Sequence, residues 1–193
     1  MDLLDLIKAR RTIRKYTGKK VPQDIIEKII DAGRWAPSAH NLQPWKFVII
    51  ENKDKIDKIA DLLNKKADSL FSGFNIVMRD VAKNLKNPGV LMAVYNNKTI
   101  SKKFSRFGDI YEEAANIYEI QSVSNAIENM LLYSHNLNLG MAWYGMALFC
   151  EIEISELLKQ DGKLLAILSL GYPDETPLAP RRKEVSEITE FIR

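Results

Sequence analysis

One long helical stretch limits the fold of this chain more than any other sequence feature. Tyr111 to Asn138 predicts a single helix that ends just before Gly140, because glycine commonly follows a helix C-terminus. Met130 and Leu132 widen an apolar stripe made of Ile117, Ile120, Val123, Ile127, Leu131 and Leu137. An apolar belt broader than one stripe predicts burial on more than one side. In a chain of 193 residues, a long central helix covered on two sides favours a subunit interface.

The rest of the chain predicts short strands separated by helices. Apolar runs predict four strands, at Phe47–Ile50, Val90–Tyr95, Met141–Met146 and Leu164–Leu170. Helical spacing predicts further helices over Asp2–Arg10, from Pro22 to near Gly33, over Asp54–Lys66 and over Glu153–Gln160. The mixed segment Ser69–Asn87 predicts either a mobile lid or a broken helix, and the C-terminal end predicts an extended arm. Because strands and helices do not alternate regularly, the pattern favours an α+β fold in which helices cover a small sheet.

Composition excludes several classes of protein. The length suits one domain over residues 1–193, and a net charge of +3 is too small to indicate a nucleic-acid partner. No apolar run reaches the length of a membrane span, and the N-terminus lacks the apolar core of a signal peptide. A single cysteine cannot form an intrachain disulfide. A cytoplasmic protein is therefore expected.

The sequence offers no convincing nucleophile, metal site or catalytic acid or base. Cys150 has no basic neighbour that would lower its pKa, so an inert thiol is expected. The two histidines lack the spacing of metal ligands. His135 falls in the long helix and is expected to be structural, whereas His40 either lines a site or is polar loop filler. Glycine-rich nucleotide motifs are absent.

Three segments could nevertheless bind a ligand. Arg10, Arg11 and Arg14 surround Thr12, and their donors would suit a dianionic phosphate; the alternative is a solvated helix end. Pro37–Trp45 holds prolines that fix the loop and leave backbone and amide groups free for a planar polar ligand; the alternative is a packed turn. Pro180–Lys183 could meet the first cluster across one phosphate, or it is a solvated tail.

Together these segments resemble the nitroreductase-like flavoproteins, in order and over nearly the whole chain. Arg10–Arg14 is similar to their Arg-Arg-Ser-x-Arg motif, with Thr12 in place of serine. Pro37–Trp45 matches their second motif, Pro-Ser-x-x-Asn-x-Gln-Pro-Trp. Leu139–Gly145 resembles their turn after the long helix. Gly171–Pro173 with Arg182 and Lys183 resembles their C-terminal signature, although Glu184 stands where proline often follows.

The resemblance implies the fold and the flavin mononucleotide (FMN) site of that family. The expected fold has a mainly antiparallel sheet, and the expected assembly is a homodimer with two flavin sites at its interface and exchanged C-terminal arms. Arg10, Thr12 and Arg182 would hold the phosphate, with Arg11 nearby, and Arg14 would reach the pyrimidine side of the ring. The backbone of Tyr144 and Gly145 would face the reactive ring nitrogen.

The Pro37–Trp45 loop would reach the flavin of the neighbouring subunit. The resemblance implies that the partner subunit supplies its copies of Pro37, Ser38, Ala39 and Asn41. Gln43 would support the loop from within.

The implied function is an FMN-dependent oxidoreductase. NADH or NADPH would bind and reduce the flavin by hydride transfer. After the oxidised nicotinamide leaves, a small electron-poor acceptor such as a nitroaromatic or a quinone would bind in the same place, which makes the cycle ping-pong. No protein acid or base is strictly required. The alternatives are a non-catalytic flavin or nucleotide binder such as a sensor, a dehalogenating or flavin-consuming relative, and a nucleic-acid-binding module built on the two arginine clusters.

Overall fold

A four-stranded antiparallel sheet forms the centre of the protein. A computed structural model describes residues 2–98 and 100–193. The sheet has the order β1–β2–β4–β3, and its strands are β1 (Trp45–Ile50), β2 (Val90–Asn96), β3 (Gly140–Tyr144) and β4 (Lys163–Gly171). Every neighbouring pair is antiparallel. The predicted small antiparallel sheet is confirmed, except that β3 ends at Tyr144 rather than Met146, because the chain turns there into a 3-10 helix over Gly145–Cys150.

Helices cover both faces of this sheet, which confirms the α+β prediction. They are α1 (Leu3–Ala9), α2 (Gln23–Arg34), α3 (Lys53–Ala67), α4 (Phe74–Asn84), α5 (Ser101–Phe104), α6 (Asp109–Asn136) and α7 (Glu151–Leu158). Alternate residues of β2 face opposite sides, so that Leu91 and Ala93 join a core with α3, α4 and α7. Met92 and Val94 join a second core with α2 and α6. None of the helices in the described part of the chain has the length and hydropathy needed to cross a membrane.

The long helix forms within two residues of its predicted bounds, and part of its apolar belt stays exposed in the single chain. Val123 and Ile127 are fully buried, whereas Ile117 and Ile120 are 48% and 41% exposed. The first half of α6 buries Ala115, Glu119 and Ser122. Small and polar side chains therefore form the core-facing side here, and the predicted burial of the belt on a second side stays a prediction.

The segment that the sequence left undecided contains an ordinary helix. Ser69–Asn87 includes α4, which buries Met78 and Ala82 against the core. The break between α3 and α4 agrees with the broken-helix alternative, and the mobile lid stays a prediction. Gly73, at a φ of 94°, separates α4 from α3. The C-terminal arm is extended and exposed after β4, as predicted, apart from one 3-10 turn over Val185–Glu187.

The N-terminal segment lies directly on β3 because Gly140 has no side chain. The Ile13 amide donates to the Met141 carbonyl at 3.1 Å, and Thr12 forms an isolated parallel bridge with Met141. A Cβ at position 140 would lie 2.5 Å from the Cβ of Ile13. The close approach fixes the position of the arginine-rich segment on the sheet.

Replacing Gly140 by alanine is expected to lower the free energy of unfolding by about 1–3 kcal/mol, as overpacking commonly does. The new methyl group would overlap Ile13 and push its segment off β3. Urea unfolding measures the change. Gly145→Ala is the matched control, because a Cβ there would meet no atom within 4 Å. Equal destabilisation by the two substitutions would contradict the close packing.

Candidate functional site

Tyr16 holds the arginine-rich segment against the sheet. Its buried hydroxyl lies 2.5 Å from the Ile13 carbonyl oxygen and 2.6 Å from the Ser169 Oγ on β4. Burial raises the pKa of Tyr16 well above its usual value, so the hydroxyl stays protonated and able to donate. Backbone bonds from Thr17 to Tyr172 and from Asp174 to Lys15 continue the contact.

This attachment brings the two ends of the chain to one cavity of about 230 Å³. The residues that line it are Arg10, Arg11, Thr12, Arg14, Pro177, Leu178, Pro180 and Arg182. Four arginines and one threonine thus meet at this cavity. All of these side chains can donate hydrogen bonds, and arginine forks match the oxygens of a phosphate group.

The charges around this cavity are only partly compensated. The Arg11 side chain donates to the carbonyls of Lys8 and Arg10 at 2.7 and 2.8 Å, and Arg10 lies 4.0 Å from the Glu128 carboxylate. The Glu175 carboxylate accepts from the backbone amide of Arg14 at 2.6 Å. Among the described residues, Arg14 and Arg182 have no carboxylate within salt-bridge distance of their guanidinium groups. The cavity therefore favours an anion.

A second cavity of about 240 Å³ adjoins the first and shares Arg11 and Pro177 with it. His135 lines this second cavity, and its Nε2 is buried without a hydrogen-bond partner among the described residues. Burial, followed by the charges of Arg10 and Arg11, lowers the pKa of His135. The imidazole is therefore neutral near pH 7.

The predicted loop is held in an unusual backbone conformation. Ala39–Asn41 forms a 3-10 turn, and His40, Asn41 and Gln43 have positive φ values of 52°, 54° and 46°. Such angles are uncommon outside glycine and persist only where the surroundings impose them. The Gln43 amide donates to the Ser38 Oγ at 3.1 Å, and the Gln43 side chain lies 3.4 Å from the Asn41 Oδ1.

Helix α6 holds this loop in place from outside. The Ala39 amide donates to the Ser122 Oγ at 3.2 Å, and the Asn125 side chain donates to the Pro37 carbonyl at 3.4 Å. These contacts leave the side chains of His40, Asn41 and Gln43 exposed, as a ligand-binding loop requires.

The structure does not bring every predicted site residue to the arginine cavity. No residue of the loop lines that cavity, and neither do Tyr144 and Gly145. The Tyr144 side chain is buried and its hydroxyl lacks a hydrogen-bond partner among the described residues. Burial raises the pKa of Tyr144. Gly145 is exposed at the end of β3.

The loop instead borders a separate pocket of about 440 Å³. The residues that line it are His40, Ile100, Phe104, Ile110, Tyr111, Ala114, Ala115 and Tyr118. Phe107 makes edge contacts with Phe104 and Tyr111, at ring-centroid distances of 5.9 and 6.1 Å. The walls are therefore apolar and largely aromatic. Of this lining, sequence reasoning identified only His40.

Other chemistry finds little support in the described residues. Burial raises the pKa of the Cys150 thiol to about 11, which agrees with the expected inert cysteine. The described residues contain no cluster of three or more side chains placed to hold a metal ion.

Sequence reasoning missed the residues that position the site, because their partners are distant in sequence. Tyr16 and Ser169 are separated by 153 residues, Arg14 and Glu175 by 161, and Ala39 and Ser122 by 83. No local pattern distinguishes these side chains from other tyrosines, serines and glutamates.

Comparisons of the sequence and of the structure with known proteins agree on one family. The model of the "Nitroreductase family" matches residues 7–172. A Methanothermobacter thermautotrophicus protein, provisionally named NADH dehydrogenase/NAD(P)H nitroreductase, is 29% identical over 92% of this chain and 80% of its own length. An iodotyrosine deiodinase of Thermotoga neapolitana is 26% identical over 98% of both chains. The crystal structure of a BluB-like flavoprotein from Clostridium difficile 630 superposes with a TM-score of 0.80, at 30% identity over the whole of both chains.

Replacing Tyr16 by phenylalanine is expected to lower the free energy of unfolding by about 1–3 kcal/mol. The substitution leaves the Ser169 hydroxyl and the Ile13 carbonyl without their buried partner. Thermal or urea unfolding measures the change. Tyr133→Phe is the control, because the structure gives the Tyr133 hydroxyl no hydrogen bond to any described residue. A loss no larger than that of the control would contradict the anchoring role.

Proposed function

The chain belongs to the nitroreductase family, and on that premise we propose that it is an FMN-dependent oxidoreductase. In this proposal the protein passes electrons from NADH or NADPH to a small electron-poor acceptor. Bound FMN supplies the redox chemistry, because its ring can accept and release a hydride, and the protein supplies binding, orientation and access.

One observation carries the proposal: arginines from opposite ends of the chain line the same cavity. Arg10 and Arg182 can offer guanidinium donors there, and Thr12 can offer a hydroxyl that is able to donate. A dianionic phosphate would satisfy them and relieve their mutual repulsion. The cavity, at about 230 Å³, is smaller than the roughly 300–1,000 Å³ of most small-molecule sites. It therefore fits the phosphate end of FMN, and the ring would lie outside it.

The remaining predicted residues would act on the ring. Arg14 would bring positive charge to the pyrimidine side, where charge develops when the flavin is reduced; fixed charges of this kind stabilise such states. The exposed backbone at Gly145 would lie against the ring. His135 lies in the cavity behind Arg11 and is neutral, so the proposal assigns it no proton transfer.

A homodimer is part of the proposal. Helix α6 exposes Ile110, Ile117 and Ile120, and the C-terminal arm exposes Leu178 and Phe191. Apolar surface of this extent commonly marks a protein interface. In the dimer the Pro37–Gln43 loop would reach the flavin of the other subunit, and the arm would wrap around its partner.

The aromatic pocket beside His40 is the proposed site of the acceptor. Its volume of about 440 Å³ lies within the range of ligand pockets, and its flat apolar walls suit a planar ring. In a ping-pong cycle the nicotinamide and the acceptor would occupy the same space in turn.

A reductive dehalogenase is the second candidate, favoured by the Thermotoga neapolitana relative that is named an iodotyrosine deiodinase. Under this alternative the acceptor is a halogenated aromatic compound rather than a nitro compound or a quinone. Iodide release from iodotyrosine by the reduced protein would support it.

The decisive experiment is an absorbance spectrum of the purified protein, followed by anaerobic titration with NADH and NADPH. A flavin spectrum that is bleached by either donor and restored by menadione supports the proposal. Bound flavin that neither donor reduces supports the non-catalytic binder instead. A protein that neither contains nor takes up FMN refutes the proposal.

Replacing either Arg10 or Arg182 by alanine is expected to raise the dissociation constant of FMN by roughly 10- to 100-fold, because each loses a charge-assisted bond. Quenching of flavin fluorescence measures the affinity. Arg181→Ala is the matched control, since it removes a neighbouring charge that does not line the cavity. If Arg181→Ala and Arg182→Ala weakened FMN binding equally, the loss of affinity would reflect general electrostatic attraction and not a specific contact of Arg182.

Replacing Ile117 by arginine is expected to convert a dimer into monomers at micromolar concentration, because it places a charge in the proposed apolar interface. Sedimentation velocity measures the assembly state. Ile152→Arg on α7 is the control, since Ile152 is also exposed but lies on the other side of the sheet. A variant that stays dimeric would show that α6 does not form the interface.

A further inference from the structure

Glu119, in the middle of α6, is the one charged side chain among the fully buried residues that the structure describes. Its carboxylate accepts four hydrogen bonds. The backbone amide of Ile100 donates at 2.5 Å and that of Ser101 at 3.3 Å. The Ser101 hydroxyl and the Asn96 side chain each donate at 3.0 Å.

A buried carboxylate in this place needs a physical reason. Burial of a charge is costly unless hydrogen bonds or an opposite charge compensate it, and among the described residues no cation lies within salt-bridge distance of Glu119. Among the described residues, these four donors carry the compensation. They come from the end of β2 and from the start of α5, so that one carboxylate on α6 joins three elements.

The joined elements form one wall of the aromatic pocket. Ile100 and Phe104 line that pocket from the α5 side, and Ala115 and Tyr118 line it from α6. Asn96 also accepts from the Lys98 amide at 2.8 Å, so the chain is fixed on both sides of the turn after β2. Glu119 thus sets the distance between the two sides of the pocket.

The opposite wall is fixed one turn further along the same helix. Ser122 accepts from the Ala39 amide and thereby holds the loop whose next residue, His40, lines the pocket. Two neighbouring polar side chains of α6 therefore position the other walls of the pocket: Glu119 positions α5, and Ser122 positions the loop that contains His40. An apolar residue at position 119 could fill the volume, but it could not align Ile100 and Ser101.

We propose that Glu119 is a positioning residue for the acceptor pocket. It fixes α5 so that Ile100 and Phe104 hold the planar substrate, although it does not touch the substrate itself. The inference rests on the proposed function, because that function makes the pocket a substrate site.

Glu119→Gln tests the inference in the full-length protein, with menadione as acceptor. The amide keeps the size of the carboxylate, but its NH2 group would face the NH2 group of Asn96, and this clash of donors would displace the remaining oxygen from the Ile100 and Ser101 amides. Loss of bonds to a charged group predicts a rise in the KM for menadione of roughly 10- to 100-fold. The flavin content should stay unchanged, and kcat at saturating menadione should stay within about threefold, because the reacting groups are untouched.

A second measurement reports on the structure of the α5 wall directly and does not require enzymatic turnover. Amide hydrogen exchange in the peptide that covers residues 100–107 should accelerate in Glu119→Gln by a similar factor. Ser134→Ala is the matched control. Ser134 is also buried in α6, but among the described residues its hydroxyl bonds only to the Leu131 carbonyl of the same helix, so neither the KM nor the exchange should change.

The double variant Asn96→Asp with Glu119→Gln provides a rescue. It moves the carboxylate to β2 and lets the new side-chain amide on α6 donate to it. With the clash of donors removed, the oxygen of that same amide can again accept from the backbone amides of Ile100 and Ser101. The KM and the protection from exchange should return to within about threefold of the wild type.

Two results would overturn the inference. One is an unchanged KM in Glu119→Gln despite faster exchange at residues 100–107, and the other is an unchanged exchange rate. Failure of the proposed function gives a different result, since the wild-type protein would then not oxidise NADH or NADPH at all. The exchange measurement tests the contact between Glu119 and α5 in either case.

Discussion

Four arginines converge on one small cavity, and the rest of the proposed site depends on how the fold keeps them together. Like charges repel, so an unsupported cluster of this kind would spread apart. Gly140 and Tyr16 oppose that by seating the N-terminal segment on β3 and β4. The Glu175 carboxylate accepts hydrogen bonds from the backbone amides of Arg14 and Lys15 and not from the guanidinium groups. The positive charge therefore remains available to an anion.

Helix α6 connects this cavity to the remaining functional elements. Its apolar side chains anchor it in the core between the sheet and α2. Its polar side chains hold one neighbour after another: Glu119 holds α5, Ser122 holds the proline loop, and Asn129 holds the end of α2 through the Ala32 carbonyl. Because the core fixes the helix rigidly, each polar contact transmits that rigidity to a loop or short helix that has little core of its own.

The sequence predicted what local chemistry determines. Four strands were recognisable from short apolar runs. The two basic clusters alone left a solvated helix end and a solvated tail as alternatives, and the placing of Arg10 and Arg182 at one phosphate came from the family resemblance. The expected roles of Pro37, Asn41 and Gly145 came from family resemblance, and they remain predictions. The apolar belt of α6 gave no sign that Glu119 and Ser122 also belong to the core-facing side of that helix. Tyr16 could not be recognised, since its partner Ser169 comes from the far end of the chain.

The separation of the arginine cavity from the proline loop has a consequence for assembly. Under the proposed function a cavity of about 230 Å³ would enclose the phosphate and leave the flavin ring outside, and no loop residue of the same chain lines that cavity. Under the proposed function the ring would be covered by a second copy, whose loop is already held in a strained conformation by its own α6. A ligand that contacts both copies binds the dimer better than the monomer, and by linkage it stabilises the dimer equally. Cofactor binding and dimerisation are then one coupled equilibrium, in which the fixed loop reduces the ordering cost of both.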